Sequence, residues 1–398
     1  MRPPPIPILQ LLNALVAFGS MFIATQSVSV WRGAGWSAWQ ISLVMALGNV
    51  CYAGFVAQGG RLADRYGRAR TGLVGAAIGC LGGLIAMTWR DPVAAVVGTM
   101  LGFGGPALFF PGCAGLFSDA QGAAGGAPPP LHRKVSGYNL GWALGNFAAF
   151  TALGLLGSDP VLSYGVAAGA FFAVGAVLWR WRRLPPLPPP PEGDRAPHPA
   201  LPRLTMMGRT SLFCACVLAM GMIALCEKAL GGERIAGPAG PERTLASVLL
   251  ACYSAGYIIT FLILGTWSGW VLRPWRLWSC QVGLVAGTAG MLALGHLHLD
   301  SAWLLGGCGL LIGLSYGATY TGSIFYSLRL PDGAARAASL HETYLGCGFT
   351  TGPLLCGLFL SNFGTDLASL GLFLTGAAVV CLGFQALVIP GAVKLGAR

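Results

Sequence analysis

The chain has 398 residues, of which 55% are hydrophobic and 9% charged, against roughly 25% charged in an ordinary soluble domain. A mean hydropathy of +0.68, with apolar stretches of about 20 residues that can each cross a hydrocarbon core of roughly 30 Å, excludes a water-soluble globular protein and points to an all-α membrane protein. The net charge of +11 does not mark a nucleic-acid binder, because the arginines sit in short loops between apolar runs and no soluble basic domain carries them.

Apolar runs between polar or Gly/Pro breaks predict twelve helices, near residues 8–29, 38–59, 71–89, 92–115, 135–156 and 161–180, then 208–228, 244–265, 277–295, 302–327, 338–360 and 367–390. The first run could pass for a signal peptide. It is taken as helix one because another spanning segment follows directly and no small-residue cleavage site precedes it. The 61 glycines suit membrane helices, where small residues let backbones approach closely. The 12 cysteines fall inside apolar runs without C-x-x-C spacing and read as small buried hydrophobes.

With alternate loops assigned to the cytoplasm, that side carries all of the 24 Lys and Arg except Arg32, Arg90, Lys228, Arg234 and Arg243. Both termini are therefore expected inside, in a plasma (inner) membrane, with an even number of crossings. A proline-rich stretch from Leu184 to about Leu204 favours an extended, semi-rigid linker. It divides an N-terminal six-helix bundle (1–183) from a C-terminal one (205–398). The halves echo each other: Ser136-Gly137-Tyr138-Asn139 with Gly145 aligns, at a constant offset, with Ser339-Leu340-His341-Glu342 and Gly348. Such parallel repeats carry a substrate site at their interface.

Between the second and third helices stands Gly60-Arg61-Leu62-Ala63-Asp64-Arg65-Tyr66-Gly67-Arg68-Ala69-Arg70. Gly60 is expected to end a helix at a close approach, and Gly67 to permit a tight turn. Asp64, the only acid amid these arginines, can pair with Arg65 or Arg68 and sit near the positive end of a neighbouring helix. The segment resembles the signature loop of the major facilitator superfamily. That resemblance implies twelve transmembrane helices in two pseudo-symmetric six-helix bundles that work by alternating access. It makes Gly60, Asp64, Arg65, Gly67 and Arg68 gating residues, with helix eleven as the partner of Asp64 when the cytoplasmic side is shut. The corresponding segment of the second half, Gly265 to Arg276, has Gly269 at the acid position. Helix four lacks the arginine of many proton-driven drug exporters of the family. Their glycine–proline pattern stands in helix eleven, around Gly352-Pro353, instead of helix five.

A charge within a spanning helix costs about 2.5–3.5 kcal/mol at its centre on insertion scales, so the few polar groups there are candidates for function. His341 and Glu342, about one turn into helix eleven, place a carboxylate beside an imidazole and are candidates for proton coupling or gating. An acid in a first helical turn is also favoured by the helix dipole alone. The resemblance makes helices one, four, seven and ten line a central cavity. Gln26 and Glu227 are then candidates, although Glu227 with Lys228 could equally be a surface ion pair. Tyr316, Tyr320 and Ser323 share a face of helix ten, and Asn139 and Trp142 mark helix five. Aromatics with a few polar tips suit a small-molecule cavity as well as helix packing. His296, His298 and Asp300 could ligate a transition metal but read better as polar loop residues, so neither metal nor cofactor is expected.

No nucleotide-binding G-x-x-x-x-G-K-[ST] loop is present, nor the Ser–His or H-E-x-x-H spacing of a membrane-embedded enzyme. The leading reading is a monomeric, non-enzymatic secondary transporter in the lipid bilayer, proton-coupled, exporting a small neutral or amphipathic molecule. The alternatives are a transporter-like sensor or assembly factor without turnover and a small-metabolite uptake permease.

Overall fold

The computed structural model describes residues 4–89, 91–122, 130–156, 159–184, 199–231, 241–273, 275, 279–299, 301–329 and 334–396. Among these residues there are twelve long helices and no strand. They are α1 (Ile6–Gly33), α2 (Ala38–Tyr66), α3 (Arg68–Trp89), α4 (Pro92–Gly122), α5 (Leu131–Leu155) and α6 (Pro160–Trp179), then α7 (Leu201–Gly231), α8 (Pro241–Thr266), α9 (Gln281–His296), α10 (Ala302–Leu328), α11 (Ala334–Phe363) and α12 (Leu367–Gly396). They form two six-helix bundles.

Local chemistry fixes several helix starts. Ser37 and Gln40 form a reciprocal capping box on α2, Asp159 caps α6 through the Val161 amide, and Ser301 caps α10. Such caps contribute about 1 kcal/mol each. Helix ends run past the apolar cores: α2 continues to Tyr66 instead of stopping near 59, and α7 begins at Leu201, inside the expected linker. Hydropathy marks the membrane-buried part of a helix, and a helix goes on into water where polar residues meet no penalty. The rest of the linker, 185–198, lies outside the described residues.

Among the described residues, ten helices are long and apolar enough by themselves to cross a bilayer. The other two are α9, 16 residues long, and α5, which carries a basic first turn with Ser136, Asn139 and Asn146. Large apolar side chains face outward all around: Phe172, Trp303 and Leu387 are 70%, 92% and 82% exposed. In water that surface would aggregate; in lipid it is the ordinary outer face. Twelve crossings bring both ends of the chain to one face of the molecule, here called the terminal face, opposite a distal face.

The repeat visible in sequence has a packing counterpart. A Cβ on Gly145 of α5 would run into the Ala14 carbonyl of α1, and one on Gly348 of α11 would run into the Phe213 carbonyl of α7. The same pair of helices thus touches backbone to backbone in each half. Between the halves, α2 packs on α11 and α5 on α8.

Candidate functional site

Where the bundles meet, side chains from α1, α2, α4, α5, α10 and α11 enclose a narrow cavity of about 30 Å³, room for about two water molecules. Trp142 of α5 and Tyr320 of α10 stack across it, ring centres 5.4 Å apart and planes within 14°. Glu342 of α11 reaches the same space, and its Oε2 accepts a 2.8 Å hydrogen bond from the Tyr52 hydroxyl of α2. That bond joins the two bundles. Asn49, one turn before Tyr52, donates to the Met45 carbonyl, and its own Oδ1 is buried without a hydrogen-bond partner among the described residues.

Because successive helical residues are turned by about 100°, His341 points away from this cavity while Glu342 points into it. Fully buried, His341 shares a 3.0 Å hydrogen bond through Nδ1 with Ser323, and its ring meets the Tyr320 ring edge-on at 5.0 Å. Its Nε2 has no hydrogen-bond partner among the described residues. Both residues lie about two turns into α11, which begins at Ala334. The carboxylate–imidazole pair and the first-turn placement expected from sequence are both replaced by this arrangement.

Of the other cavity candidates, Trp142 and Tyr320 line the space, whereas Gln26, Asn139, Glu227 and Tyr316 do not. Tyr316 is packed one turn away against Tyr253 and Tyr257, with its hydroxyl 3.6 Å from Cys216 Sγ. Asn139 is fully buried, with no hydrogen-bond partner for its side chain among the described residues.

Gln26 and Glu227 belong to a polar cluster near the distal face. Glu227 of α7 pairs with Arg32 of α1 at 3.3 Å and accepts a 2.7 Å hydrogen bond from Ser29. Arg243 of α8 donates to Gln26 at 2.6 Å and to the Leu153 carbonyl of α5 at 3.0 Å. Neither reading of Glu227 made from sequence, lining of the central cavity or a surface pair with Lys228, describes this buried latch between the halves. Arg32 and Arg243 counted only as outer-loop charges, and their positions at helix ends next to Glu227 and Gln26 were the available signal. Tyr52 and Tyr138 were not singled out; the available signal for Tyr52 was Asn49 three residues before it, polar groups on one helix face as at Tyr316 and Tyr320.

On the terminal face the signature segment is mostly helix. Gly67, at φ +98°, is the whole interruption between α2 and α3, a backbone conformation that glycine adopts without strain. Gly60 neither ends a helix nor meets a neighbour: a Cβ there has open space, while one on Gly59 would sit 2.7 Å from the Ala107 carbonyl of α4. Arg68 donates to the Gly115 carbonyl at 3.0 Å, and Arg65 lies over the Tyr66 ring. Asp64 is exposed and, among the described residues, has no ion pair or hydrogen bond, so the expected pairing with Arg65 or Arg68 is not made. In the equivalent segment after α8, Trp270 turns inward, fully buried against Phe325 and Tyr326, with its Nε1 donating to the Leu264 carbonyl. His296 and His298 sit at the distal end of α9, Asp300 lies outside the described residues, and no metal-ligating cluster exists among the described residues.

A family model described as Major Facilitator Superfamily matches residues 9–340. Three solved structures share the fold. A nucleoside transporter, NupG, aligns with a TM-score of 0.70 at 12% identity, covering 96% of this chain and 99% of its own. A peptide transporter, POT, solved with sulfate, gives 0.72 at 15%, covering 98% and 96%. A bacterial homologue of the human lysosomal transporter Spinster, captured inward-facing and occupied, gives 0.62 at 14%, covering 98% and 95%. No curated protein sequence matches the chain.

Proposed function

The chain belongs to the major facilitator superfamily, and from that premise we propose that it exports a small solute by alternating access, driven by protons bound at Glu342. The observation that carries this reading is the Tyr52–Glu342 hydrogen bond inside the cavity. A hydrogen bond to an ionised acceptor is roughly twice as strong as one between neutral groups. Protonation of Glu342 therefore loosens a contact between the bundles, and deprotonation restores it. Among the described residues, the titratable groups near Glu342 are the hydroxyls of Tyr52, Tyr138 and Tyr320 and the thiol of Cys216 on α7, while His341 is turned to Ser323.

The two ends supply the gates. With the terminal face assigned to the cytoplasm, the Arg32–Glu227 pair and the Arg243–Gln26 bond close the outer side in this conformation. Asp64, Arg65 and Arg68, turned by Gly67, then belong to the inner gate. The exposed Asp64 carboxylate, without an ion pair or hydrogen bond among the described residues, suits a state in which its own contact to α11 is released, and it docks toward α11 when the outer side opens.

A transporter-like sensor without turnover is the second reading, and one observation favours it: the second gate segment has Gly269 where an acid would stand, and the next residue, Trp270, is buried against Phe325. Proton flux separates the two. In proteoliposomes with an internal pH dye, loaded with neutral, amphipathic or cationic solutes, wild type is expected to show solute-dependent proton flux. Glu342→Gln is expected to lose that flux while keeping its melting temperature. Unchanged flux in the variant removes Glu342 from coupling, and absence of flux in wild type favours the sensor.

A further inference from the structure

The chemistry of the cavity wall narrows the class of solute, on the reading that this cavity is the transport site. Its wall is largely aromatic: Phe103, Phe110, Tyr138, Trp142, Tyr320 and Phe349 all contribute. Glu342 is its one charged lining residue among the described residues, and no Lys, Arg or His joins it. Oε2 of Glu342 takes the Tyr52 hydrogen bond, while Oε1 has no hydrogen-bond partner and the carboxylate no ion pair among the described residues.

The cationic side chains of the interior are committed elsewhere. Arg32 is paired with Glu227 and Arg243 is bonded to Gln26 near the distal face, while Arg209 on α7 donates to Ser327 behind His341. A carboxylate in an apolar cavity is costly without a counter-charge. Aromatic faces are themselves electronegative and attract cations within about 6 Å of the ring centre. An anion would be repelled by both the acid and the rings. A neutral solute would make no use of the carboxylate, which a proton alone would then have to neutralise, and a dication would be only half compensated by one acid.

We propose that this cavity binds a monovalent organic cation, an amine or quaternary ammonium with an apolar body, its charge against Glu342 and its carbon groups on the Trp142–Tyr320 pair. The cavity holds little more than water in the present closed arrangement, so the cation enters when the bundles part. Glu342 then holds either the cation or a proton, and exchange of one for the other gives antiport with the charge of the site kept constant.

Calorimetric titration of the full chain in lipid nanodiscs with phenyltrimethylammonium tests this, with empty nanodiscs as the blank. The expected result is saturable binding, with the uncharged isostere tert-butylbenzene and the anion benzenesulfonate at least about tenfold weaker. Glu342→Gln is expected to weaken the cation by about tenfold or more, and Trp142→Leu to weaken it where Trp142→Phe retains it. Equal binding of the isostere, or undiminished cation binding by a Glu342→Gln protein with a native melting temperature, overturns the proposal. If Glu342→Gln does not fold, the isostere comparison and the Trp142 pair decide. Binding needs no turnover, so a bound but untransported cation defeats the transport reading and leaves this one standing. Proton-linked flux of neutral solutes without cation binding does the reverse.

Discussion

Arg32 and Glu227 form an ion pair whose side chains are only 11% and 5% exposed. Removing one partner of a buried pair leaves an uncompensated charge and costs about 3–5 kcal/mol, and Glu227→Gln does this to Arg32 while keeping the size of the side chain. In a molecule with two arrangements that cost falls only on the one that buries the pair, so it becomes a population shift. Glu227→Gln is therefore expected to open the distal face. The neighbouring Cys226, 1% exposed here, should be alkylated several-fold faster by a membrane-impermeant maleimide, as read by peptide mass spectrometry. No change in its rate would remove the latch role. Asp64 makes the opposite case, because it bonds to nothing described in this conformation. Asp64→Asn should leave the melting temperature within about 1 °C of wild type while lowering transport severely; full activity would remove it from the gate.

At the level of elements, the account turns on which glycines let helices touch. Gly59 of α2 lies under the Ala107 carbonyl of α4, and its neighbour Gly60 faces open space. Overpacking a close contact costs about 1–3 kcal/mol, and Gly to Ala at an unhindered helical site gains about 0.4–1 kcal/mol. Gly59→Ala should accordingly lower the melting temperature in detergent and Gly60→Ala hold or raise it; the reverse order would contradict the packing described for α2 and α4. The count, order and cores of the helices were legible because each is an apolar run of bilayer length. Their ends were not: nothing in hydropathy says that α2 continues through Arg61 and Asp64 to Tyr66. The one-residue turn could be anticipated at Gly67, where φ is positive, but the packing glycine was misplaced by one position, since a single step around a helix exchanges a buried face for an open one.

For the whole molecule, the parallel repeat could be read from Gly145 and Gly348, and in three dimensions these are the residues where α5 meets α1 and α11 meets α7. The centre was harder. Glu342, Trp142 and Tyr320 stood out as polar or aromatic groups in apolar runs and share the cavity. Tyr52 and Asn49 did not stand out, and Gln26, Glu227, Asn139 and Tyr316 lie elsewhere, because sequence gives the depth of a residue and not the direction its side chain takes around the helix. Depth alone put Glu227 in a cavity, although it latches the distal end.

On the proposed alternating access, the two bundles exchange which face they close. Pulsed electron-spin measurements in nanodiscs test it with spin-labelled amino acids at two exposed pairs of sites, Ala34 with Thr244 on the distal face and Tyr66 with Thr266 on the terminal face. Passing from wild type to Glu227→Gln, the distal distance should lengthen while the terminal distance shortens. Two distances that stay fixed, or that change in the same direction, would contradict the account.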